Sequence, residues 1–279
     1  MNIQSLSIHV PSNICINKCK FCVSRMRKDE YNFIKNEKEY KKRLEFARDN
    51  GCNTVMLTGT AEPQQNKEFL KWFSDINKSL PSPFKIIEMQ TTGILLDKGY
   101  LEFLKDEVGV TTISLSVSFL FNENKNNEII NNKINLYELI DLIKSYDFNL
   151  RLSLNMIADY EKELIKPQDI FNLAKTKQVD QLTFRVLYGS GKNTPQDKWI
   201  NENRASKEYI AHLQNYIKEK GKPLHILEYG QTQYDVDGIS VVLDDDCMSQ
   251  KLTKDYKYLI LRPNCKLYSQ WDTKASLIF

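Results

Sequence analysis

The sequence predicts an α/β fold in which parallel strands alternate with helices. The prediction depends on six short runs of apolar or β-branched residues, and on the amphipathic stretches that separate them. The six strand candidates are Ser5–Val10, Asn53–Leu57, Phe84–Met89, Thr111–Val117, Leu150–Ile157 and Gln181–Leu187. Six strand–helix units in succession favour parallel strands joined by right-handed crossovers. A doubly wound sheet and a barrel both satisfy this pattern, and periodicity alone does not separate them.

Helical spacing of apolar residues predicts a helix after each strand. The predicted helices cover residues 32–50, 65–79, 95–106, 135–146, 167–177 and 201–220. In the fourth of these, Leu136, Leu139, Ile140 and Ile143 lie on one face, which is typical of a helix packed on a sheet. Pro167 fits the first turn of the fifth.

Residues 222–279 differ from residues 1–221 in the pattern of predicted elements. His225–Tyr229, Gly238–Leu243 and Tyr256–Arg262 resemble strands separated by turns. We therefore predict a main domain over 1–221 and a β-rich cap over 222–279 that continues it.

The segment Asn122–Asn135 is rich in asparagine and follows the fourth strand. It is predicted to be a surface loop. The alternative is an active-site lid, because loops after parallel strands surround the site in barrel folds.

Composition excludes several classes of protein. The 41% hydrophobic and 27% charged fractions are those of a globular protein, and a net charge of +3 gives no strong signal for nucleic-acid binding. No signal peptide and no membrane span is expected, because no apolar run approaches the roughly 18 residues that a span needs. We expect a cytoplasmic location, and hence no disulfides among the six cysteines.

Three cysteines lie close together directly after the first predicted strand. Cys15, Cys19 and Cys22 have the spacing Cys-x3-Cys-x2-Cys, whereas Cys52, Cys247 and Cys265 are scattered. Three thiolates within eight residues can converge on a soft metal centre. Structural zinc sites and ordinary ferredoxin clusters need a fourth protein ligand, so this spacing suggests one iron–sulfur cluster with an open iron position.

This motif resembles the signature of the radical S-adenosylmethionine (SAM) superfamily. The resemblance extends over roughly residues 4–190 and is strongest at the three cysteines. It implies a partial (β/α)6 barrel, with a [4Fe–4S] cluster held by Cys15, Cys19 and Cys22 as metal ligands and catalytic centre. It also implies that SAM binds the open iron and is cleaved to a 5′-deoxyadenosyl radical that abstracts hydrogen.

The resemblance also implies residues that bind SAM. Thr58–Pro63 resembles the family's Gly-Gly-Glu-Pro motif, with Thr60 and Ala61 in place of the glycines and Glu62 facing the SAM ammonium. Phe21 matches an apolar residue whose backbone contacts adenine. Ser116 and Asn155, on the fourth and fifth strands, are predicted to line the ribose and carboxylate pocket, although generic polar lining fits them as well.

Substrate contacts are predicted at the ends of two further strands, because strand C-termini face the site in such barrels. The candidates are Gln90, Thr92, Arg185 and Tyr188. Arg185 could bind a phosphate or carboxylate bidentately, or could equally form a structural ion pair. The basic residues beside the cysteines predict an acidic electron donor such as flavodoxin or ferredoxin, although a merely solvated loop is the alternative. These residues are Lys18, Lys20, Arg25, Arg27 and Lys28.

The resemblance leaves the substrate open. The leading interpretation is an enzyme that abstracts hydrogen from a small polar molecule such as a nucleotide or nucleoside. The alternatives are radical modification of a peptide or protein, including glycyl-radical activation, and a non-catalytic iron–sulfur sensor or electron carrier. A sensor would need no SAM pocket.

Overall fold

The fold is known from a computed structural model that describes residues 2–12, 14–26, 32–227, 231–244, 255–271 and 273–279. Six strands form its centre, each followed by at least one helix. These strands are β2 (Ser5–His9), β3 (Thr54–Thr58), β4 (Ile86–Thr91), β5 (Thr112–Val117), β6 (Asn149–Met156) and β7 (Gln181–Val186), after a two-residue β1 (Asn2–Ile3). All six coincide with the predicted strands.

Helices follow these strands in nearly the predicted positions. They are α1 (Glu37–Asp49), α2 (Lys67–Lys78), α3 (Lys98–Glu102), α4 (Glu123–Ile130), α5 (Leu136–Lys144), α6 (Asp159–Lys162), α7 (Pro167–Thr176), α8 (Pro195–Asn203) and α9 (Lys207–Lys220). A π-helical turn, Phe103–Val108, continues α3, and short 3₁₀ turns cover Val23–Met26, Pro63–Gln65 and Lys274–Ser276. Among the described residues, no helix is both long and apolar enough to cross a membrane.

The C-terminal segment adds strands to both edges of the central sheet. It contains β8 (Lys222–Ile226), β9 (Thr232–Val236), β10 (Ile239–Asp244), β11 (Asp255–Tyr256), β12 (Leu259–Leu261) and β13 (Leu267–Tyr268). The sheet order is β13-β12-β2-β3-β4-β5-β6-β7-β10-β9-β8, and every pair from β12 to β10 is parallel. β1 and β11 form a separate two-stranded parallel sheet.

The barrel is partial, as predicted, because β10 and β12 are not paired to each other within the described part of the chain. An ion pair bridges the two edges instead. The ammonium of Lys257, just before β12, lies 3.1 Å from the carboxylate of Asp244 at the end of β10. The tail therefore completes the wall of the barrel on both sides of this gap.

Alternate residues of each strand face two different environments. One set, including Leu6, Ile8, Val55 and Leu57, is fully buried and apolar. The other set lines the interior of the barrel and is mostly polar. On the first three central strands it consists of Ser5, Ser7, His9, Thr54, Met56, Thr58, Glu88 and Gln90. A closed barrel of this type is filled by branched apolar side chains, so the polar interior indicates a binding chamber.

The asparagine-rich segment is helical over most of its length, so the loop prediction was wrong. The Asn122 side chain accepts a hydrogen bond from the Lys125 N–H at 3.1 Å and begins α4, and Asn131 ends it with a φ of 54°. Ile129 and Ile130 are buried. Asparagine is favourable at both of these cap positions, and two buried isoleucines suffice to hold this short helix on the domain.

The last predicted helix is in fact two helices. α8 ends at Asn203 and α9 begins at Lys207, after Arg204 adopts an extended backbone. α8 begins with a reciprocal capping interaction between Thr194 and Asp197. The sequence Thr-Pro-Gln-Asp carries this signal, which the prediction over 201–220 missed.

Candidate active site

The cysteine loop follows β2 and packs against the end of α4. The N–H groups of Lys18 and Lys20 donate to the carbonyls of Ile130 and Ile129 at 3.2 and 3.0 Å. A turn that joins the Cys22 N–H to the Cys19 carbonyl at 3.2 Å brings these two cysteines together. Because α4 comes from the misassigned asparagine-rich segment, this contact could not be predicted from the sequence pattern.

The thiols of Cys15, Cys19 and Cys22 are unpaired and partly accessible. Burial, together with the nearby Cys22 and Cys15, raises the pKa of the Cys19 thiol to about 12, because a buried thiolate is costly and three thiolates would repel one another. Burial also raises the pKa of Cys15. A cationic metal centre relieves this repulsion, and a set of three soft sulfur donors suits iron. These residues therefore fit an iron–sulfur cluster.

Among the described residues, no three cysteine, histidine or acidic side chains converge on a point that one metal ion could occupy. The thiolates of a four-iron cluster each bind a different iron, so a cluster does not require them to converge on one point. Cys52 and Cys265 are buried away from the loop. Cys247 lies outside the described residues.

Glu62 is buried and connects the cysteine loop to the end of β4. Its Oε1 accepts from the Thr91 hydroxyl at 2.5 Å, and its Oε2 accepts from the N–H and hydroxyl of Thr92 at 3.0 and 2.9 Å. The Asn17 amide, between Cys15 and Cys19, donates to the same Oε2 at 3.3 Å. Burial raises the pKa of this carboxyl, and the hydrogen bonds only partly offset that effect. Both oxygens thus already bind protein donors.

Asn17 is the central member of this network. Its Nδ2 also donates to the Thr92 hydroxyl at 2.9 Å, and its Oδ1 accepts from the Asn132 amide at 3.0 Å. The side chain is 4% exposed. Asn17 therefore joins the cysteine loop to the end of β4 and to the segment after α4. A single residue between two cysteines carries no sequence pattern by which this role could have been recognised.

The other predicted SAM contacts lie in three places. The Asn155 amide is 3.5 Å from both the Ser116 and the Ser118 hydroxyls, so the structure brings the two predicted residues together. Phe21 packs on Trp199 of α8, with ring centroids 6.2 Å apart. Thr60 is exposed, its carbonyl accepts from the Ser24 hydroxyl at 3.0 Å, and Ala61 follows it directly before the buried Glu62.

A cavity of about 430 Å³ extends through the interior of the barrel and includes Cys22 and Ser24 in its wall. Two of the four predicted substrate residues, Gln90 and Arg185, line it. Thr92 instead belongs to the Glu62 network, and Tyr188 is not part of the cavity wall. The tail contributes a large share of the wall: Leu227, Gln233, Ser240, Val242, Asp244, Lys257, Tyr258, Ile260 and Trp271.

Two ion pairs inside the cavity were not recognised in the sequence. Glu88 and Arg151 lie 2.5 Å apart, and the same Arg151 donates to Gln181 at 2.8 Å. The Gln90 amide donates to Glu88 at 2.9 Å. The second pair is Asp244 with Lys257. Glu88 is 2% exposed in the structure. In the sequence, an acidic residue at an alternating position of a predicted strand was the available signal for an ion pair that faces the interior.

The basic residues beside the cysteines are only partly available to a partner. Lys18 and Arg25 are exposed, whereas the Lys20 ammonium is bound 2.7 Å from Glu128. Arg27 and Lys28 lie outside the described residues. The predicted basic surface therefore consists of Lys18 and Arg25 in the part of the chain that is described.

Solved structures of low sequence identity share this fold. SuiB from Streptococcus suis, bound to its precursor peptide SuiA, has a TM-score of 0.61 and 16% identity over 95% of this chain and 59% of that one. The protein anSMEcpe with bound AdoMet has a TM-score of 0.64 and 13% identity over 100% of this chain and 74% of that one. At these identities the likeness establishes the fold.

A curated relative is the 5-amino-6-(D-ribitylamino)uracil–L-tyrosine 4-hydroxyphenyl transferase of Methanococcus vannielii. It is 25% identical over 187 residues, which cover 62% of this chain and 52% of that protein. The chain thus spans about half the length of this relative. The sequence profile of the Radical SAM superfamily matches residues 9–157, which is more than half of the chain and includes the three cysteines, Glu62 and Asn155. The chain therefore belongs to the radical SAM superfamily.

Proposed function

We propose that this protein is an enzyme that cleaves SAM reductively and abstracts hydrogen from a small polar substrate. The observation that carries the proposal is a cavity of about 430 Å³ that is lined largely by polar side chains, because Cys22 lies in its wall. Cys15, Cys19 and Cys22 would hold the cluster. When bound, the cluster supplies the electron that cleaves SAM to the 5′-deoxyadenosyl radical. The family uses a [4Fe–4S] cluster and SAM together.

The chain's own residues would position SAM and keep water from it. The network of Glu62, Asn17 and Thr92 holds the cysteine loop at the end of β4. Ser116 and Asn155 present a hydroxyl and an amide that suit the ribose or carboxylate of SAM. The tail completes the wall of the chamber at both edges of the sheet, which would help to protect a reactive radical from solvent.

A small substrate is favoured over a peptide by the size of the cavity, which is typical of sites for small molecules. The curated relative is named for a ribityluracil and L-tyrosine, both small polar molecules, and this name supports the same class here. A nucleotide or nucleoside remains our specific proposal. Modification of a peptide is the second candidate, because SuiB is described with a precursor peptide bound.

The direct test is to incubate anaerobically reconstituted, dithionite-reduced protein with SAM and to measure 5′-deoxyadenosine by mass spectrometry. We expect 5′-deoxyadenosine from the wild type and from Cys52→Ala, whose cysteine lies outside the loop. Cys22→Ala should form none. A wild-type protein with a full complement of iron that forms no 5′-deoxyadenosine would contradict the proposal and favour the non-catalytic iron–sulfur protein.

We further propose that Lys18 and Arg25 steer an acidic electron donor such as flavodoxin or ferredoxin. Both side chains are exposed beside the cysteine loop, and opposite charges raise encounter rates at low salt. The double variant Lys18→Glu/Arg25→Glu should lose flavodoxin-driven SAM cleavage while dithionite still supports it. The difference should shrink as the Debye length falls to about 10 Å at 0.1 M salt. Equal flavodoxin-driven rates in both proteins would leave these charges as simple solvating groups.

A further inference from the structure

Arg185 is a cation in the cavity wall that has no counter-ion among the described residues. It lies near the end of β7 and lines the chamber. Among the described residues it takes part in none of the ion pairs, and its Nε is buried without a hydrogen-bond partner. The sequence left open that Arg185 forms a structural ion pair. No described residue is the partner in such a pair.

The other ionised groups of the described cavity wall are already paired. Glu88 binds Arg151 at 2.5 Å, and Asp244 binds Lys257 at 3.1 Å. Asp244 is the neighbour of Arg185 in the β7–β10 register, yet its carboxylate is bound to Lys257 and lies beyond ion-pair distance of Arg185. The paired charges cancel, so Arg185 gives this described wall an excess of one positive charge.

The guanidinium of Arg185 is partly exposed to the cavity, and its buried Nε has no acceptor among the described residues, so an oxyanion in the cavity would supply the missing acceptors. The planar group presents its donors in a fork that matches a carboxylate or a phosphate. Such charge-assisted, bidentate hydrogen bonds are about twice as strong as neutral ones. The partly exposed guanidinium of Arg185 thus offers hydrogen-bond donors to an acidic group of a ligand in the cavity.

The position of Arg185 separates it from the cysteine loop. Cys22 and Ser24 line the cavity beside β2, whereas Arg185 lies on β7, and the gap bridged by Asp244 and Lys257 lies between these two parts of the wall. Next to Arg185 the wall is formed by β10 of the tail, through Val242 and Asp244. A molecule anchored at Arg185 would therefore occupy the tail side of the chamber and extend toward Cys22.

We propose that Arg185 binds an acidic group, a carboxylate or a phosphate, on the substrate. The substrate class is then a small organic acid or phosphate ester, with the reacting part of the molecule directed away from this anchor. The inference deepens the proposed function and relies on it for the meaning of substrate. The methionyl carboxylate of SAM offers the same chemistry, and the experiment separates the two sources.

The test compares acids with neutral molecules of the same framework, using isothermal titration of the reconstituted enzyme. The probe pairs are guanosine 5′-monophosphate with guanosine, uridine 5′-monophosphate with uridine, and orotate with uracil. In the wild type, at least one acid should bind about tenfold more tightly than its neutral partner. Arg185→Gln should reduce that preference to less than about twofold, and Arg185→Lys should retain part of it. Lys38→Gln, on the exposed face of α1, is the matched control for loss of one positive charge and should keep the full preference.

Three further results test the proposal. The SAM affinity of Arg185→Gln should stay within about twofold of the wild type; a tenfold loss would assign Arg185 to the SAM carboxylate and overturn the proposal. The proposal is also overturned if the wild type prefers the acid in none of the probe pairs, or if Arg185→Gln keeps the preference of the wild type. The melting temperature of Arg185→Gln should not fall, because Arg185 loses no partner among the residues that the structure describes. 5′-Deoxyadenosine formed without substrate reports the proposed function separately, so its absence leaves the binding comparison intact.

Discussion

The two sides of the cavity are held together in different ways. On the cysteine side, Asn17 and Glu62 join three segments of the chain through short, directional and buried hydrogen bonds. On the tail side, three-residue β12 and the pair Asp244–Lys257 complete the wall. A cluster needs its ligands fixed within a fraction of an ångström, whereas an enclosing wall only needs to exclude water and contact the substrate. The difference indicates a rigid cofactor side and a more adaptable substrate side.

The largest effect expected on the cofactor side follows removal of any cysteine of the loop. Cys15→Ala, Cys19→Ala and Cys22→Ala should each lose the brown colour and most of the bound iron, because three thiolates are the minimum for this cluster. Cys52→Ala and Cys265→Ala should keep about four irons per chain. Iron analysis and the visible spectrum check both statements. Loss of iron from Cys52→Ala or Cys265→Ala would contradict the single-cluster account.

The next largest effect is expected from Glu62→Gln. The amide keeps the shape of the side chain but replaces an accepting oxygen with a donor, which leaves the donors on Thr92 and Asn17 unsatisfied. The free energy of unfolding should fall by about 1.5–3 kcal/mol. SAM affinity should fall roughly tenfold, because the loss of these hydrogen bonds would shift the cysteine loop that we propose holds the cluster.

Urea unfolding and SAM titration measure these two changes in Glu62→Gln. Glu163→Gln, at an exposed position after α6, is the control and should change the free energy of unfolding by less than about 0.5 kcal/mol. Unchanged stability in Glu62→Gln would show that the network around Asn17 does not hold the loop. Unchanged SAM affinity with reduced stability would limit Glu62 to a positioning role.

A smaller effect is expected on the tail side from Asp244→Asn. The substitution leaves the mostly buried ammonium of Lys257 without its carboxylate, so the free energy of unfolding should fall by about 1–3 kcal/mol. The cluster should remain, because the cysteine loop is held separately. Glu68→Gln breaks the exposed pair with Lys35 and should cost less than about 0.5 kcal/mol. Loss of iron from Asp244→Asn would mean that the two sides are coupled more tightly than their contacts indicate.

The smallest effect is expected at Asp197, which begins the helix that packs on Phe21. Although desolvation raises the pKa of this carboxyl, hydrogen bonds from Thr194 and Ser190 outweigh it and hold the pKa well below its usual value. A depressed folded-state pKa contributes stability above the unfolded-state pKa, and that contribution is lost as the pH falls. Asp197→Asn should therefore cost about 1 kcal/mol near pH 7, and this cost should decrease steadily as the pH falls below the usual carboxyl pKa of about 4, without vanishing until the folded carboxylate is itself protonated.

Urea unfolding of Asp197→Asn at a series of pH values measures this dependence. Asp75→Asn, at an exposed position on α2, should show no such change. A cost at Asp197 that stays constant over the acidic range would mean that its charge does not stabilise the start of α8.

Much of the fold could be predicted from the sequence because its signals are local. Strand alternation and helical spacing span ten residues or fewer, and all six central strands were located from them. Two helical regions were misassigned because the short signals for helix caps were outweighed by the polar composition around them. The asparagines around α4 suggested a loop, and the continuous polarity of 201–206 concealed the break between α8 and α9.

The candidate site was only partly predictable. The spacing of Cys15, Cys19 and Cys22 predicted the loop in which we propose the cluster, and the family resemblance led to Ser116 and Asn155, which the structure brings to within 3.5 Å of each other. The partners of Glu62 could not be found in this way, since Asn17 and Thr92 are distant in the chain and neither belongs to a motif.

The sequence alone determined the alternation of strands and helices, the cysteine loop and, through its resemblance, the family. Each of these is encoded by residues close together in the chain. Only the tertiary structure decided that β10 and β12 join opposite edges of one sheet, that Asp244 meets Lys257, and that Arg185 has no partner in the described wall. Whether a charge is paired depends on which side chains the folded sheet brings within a few ångströms, and no local pattern in the chain records that distance.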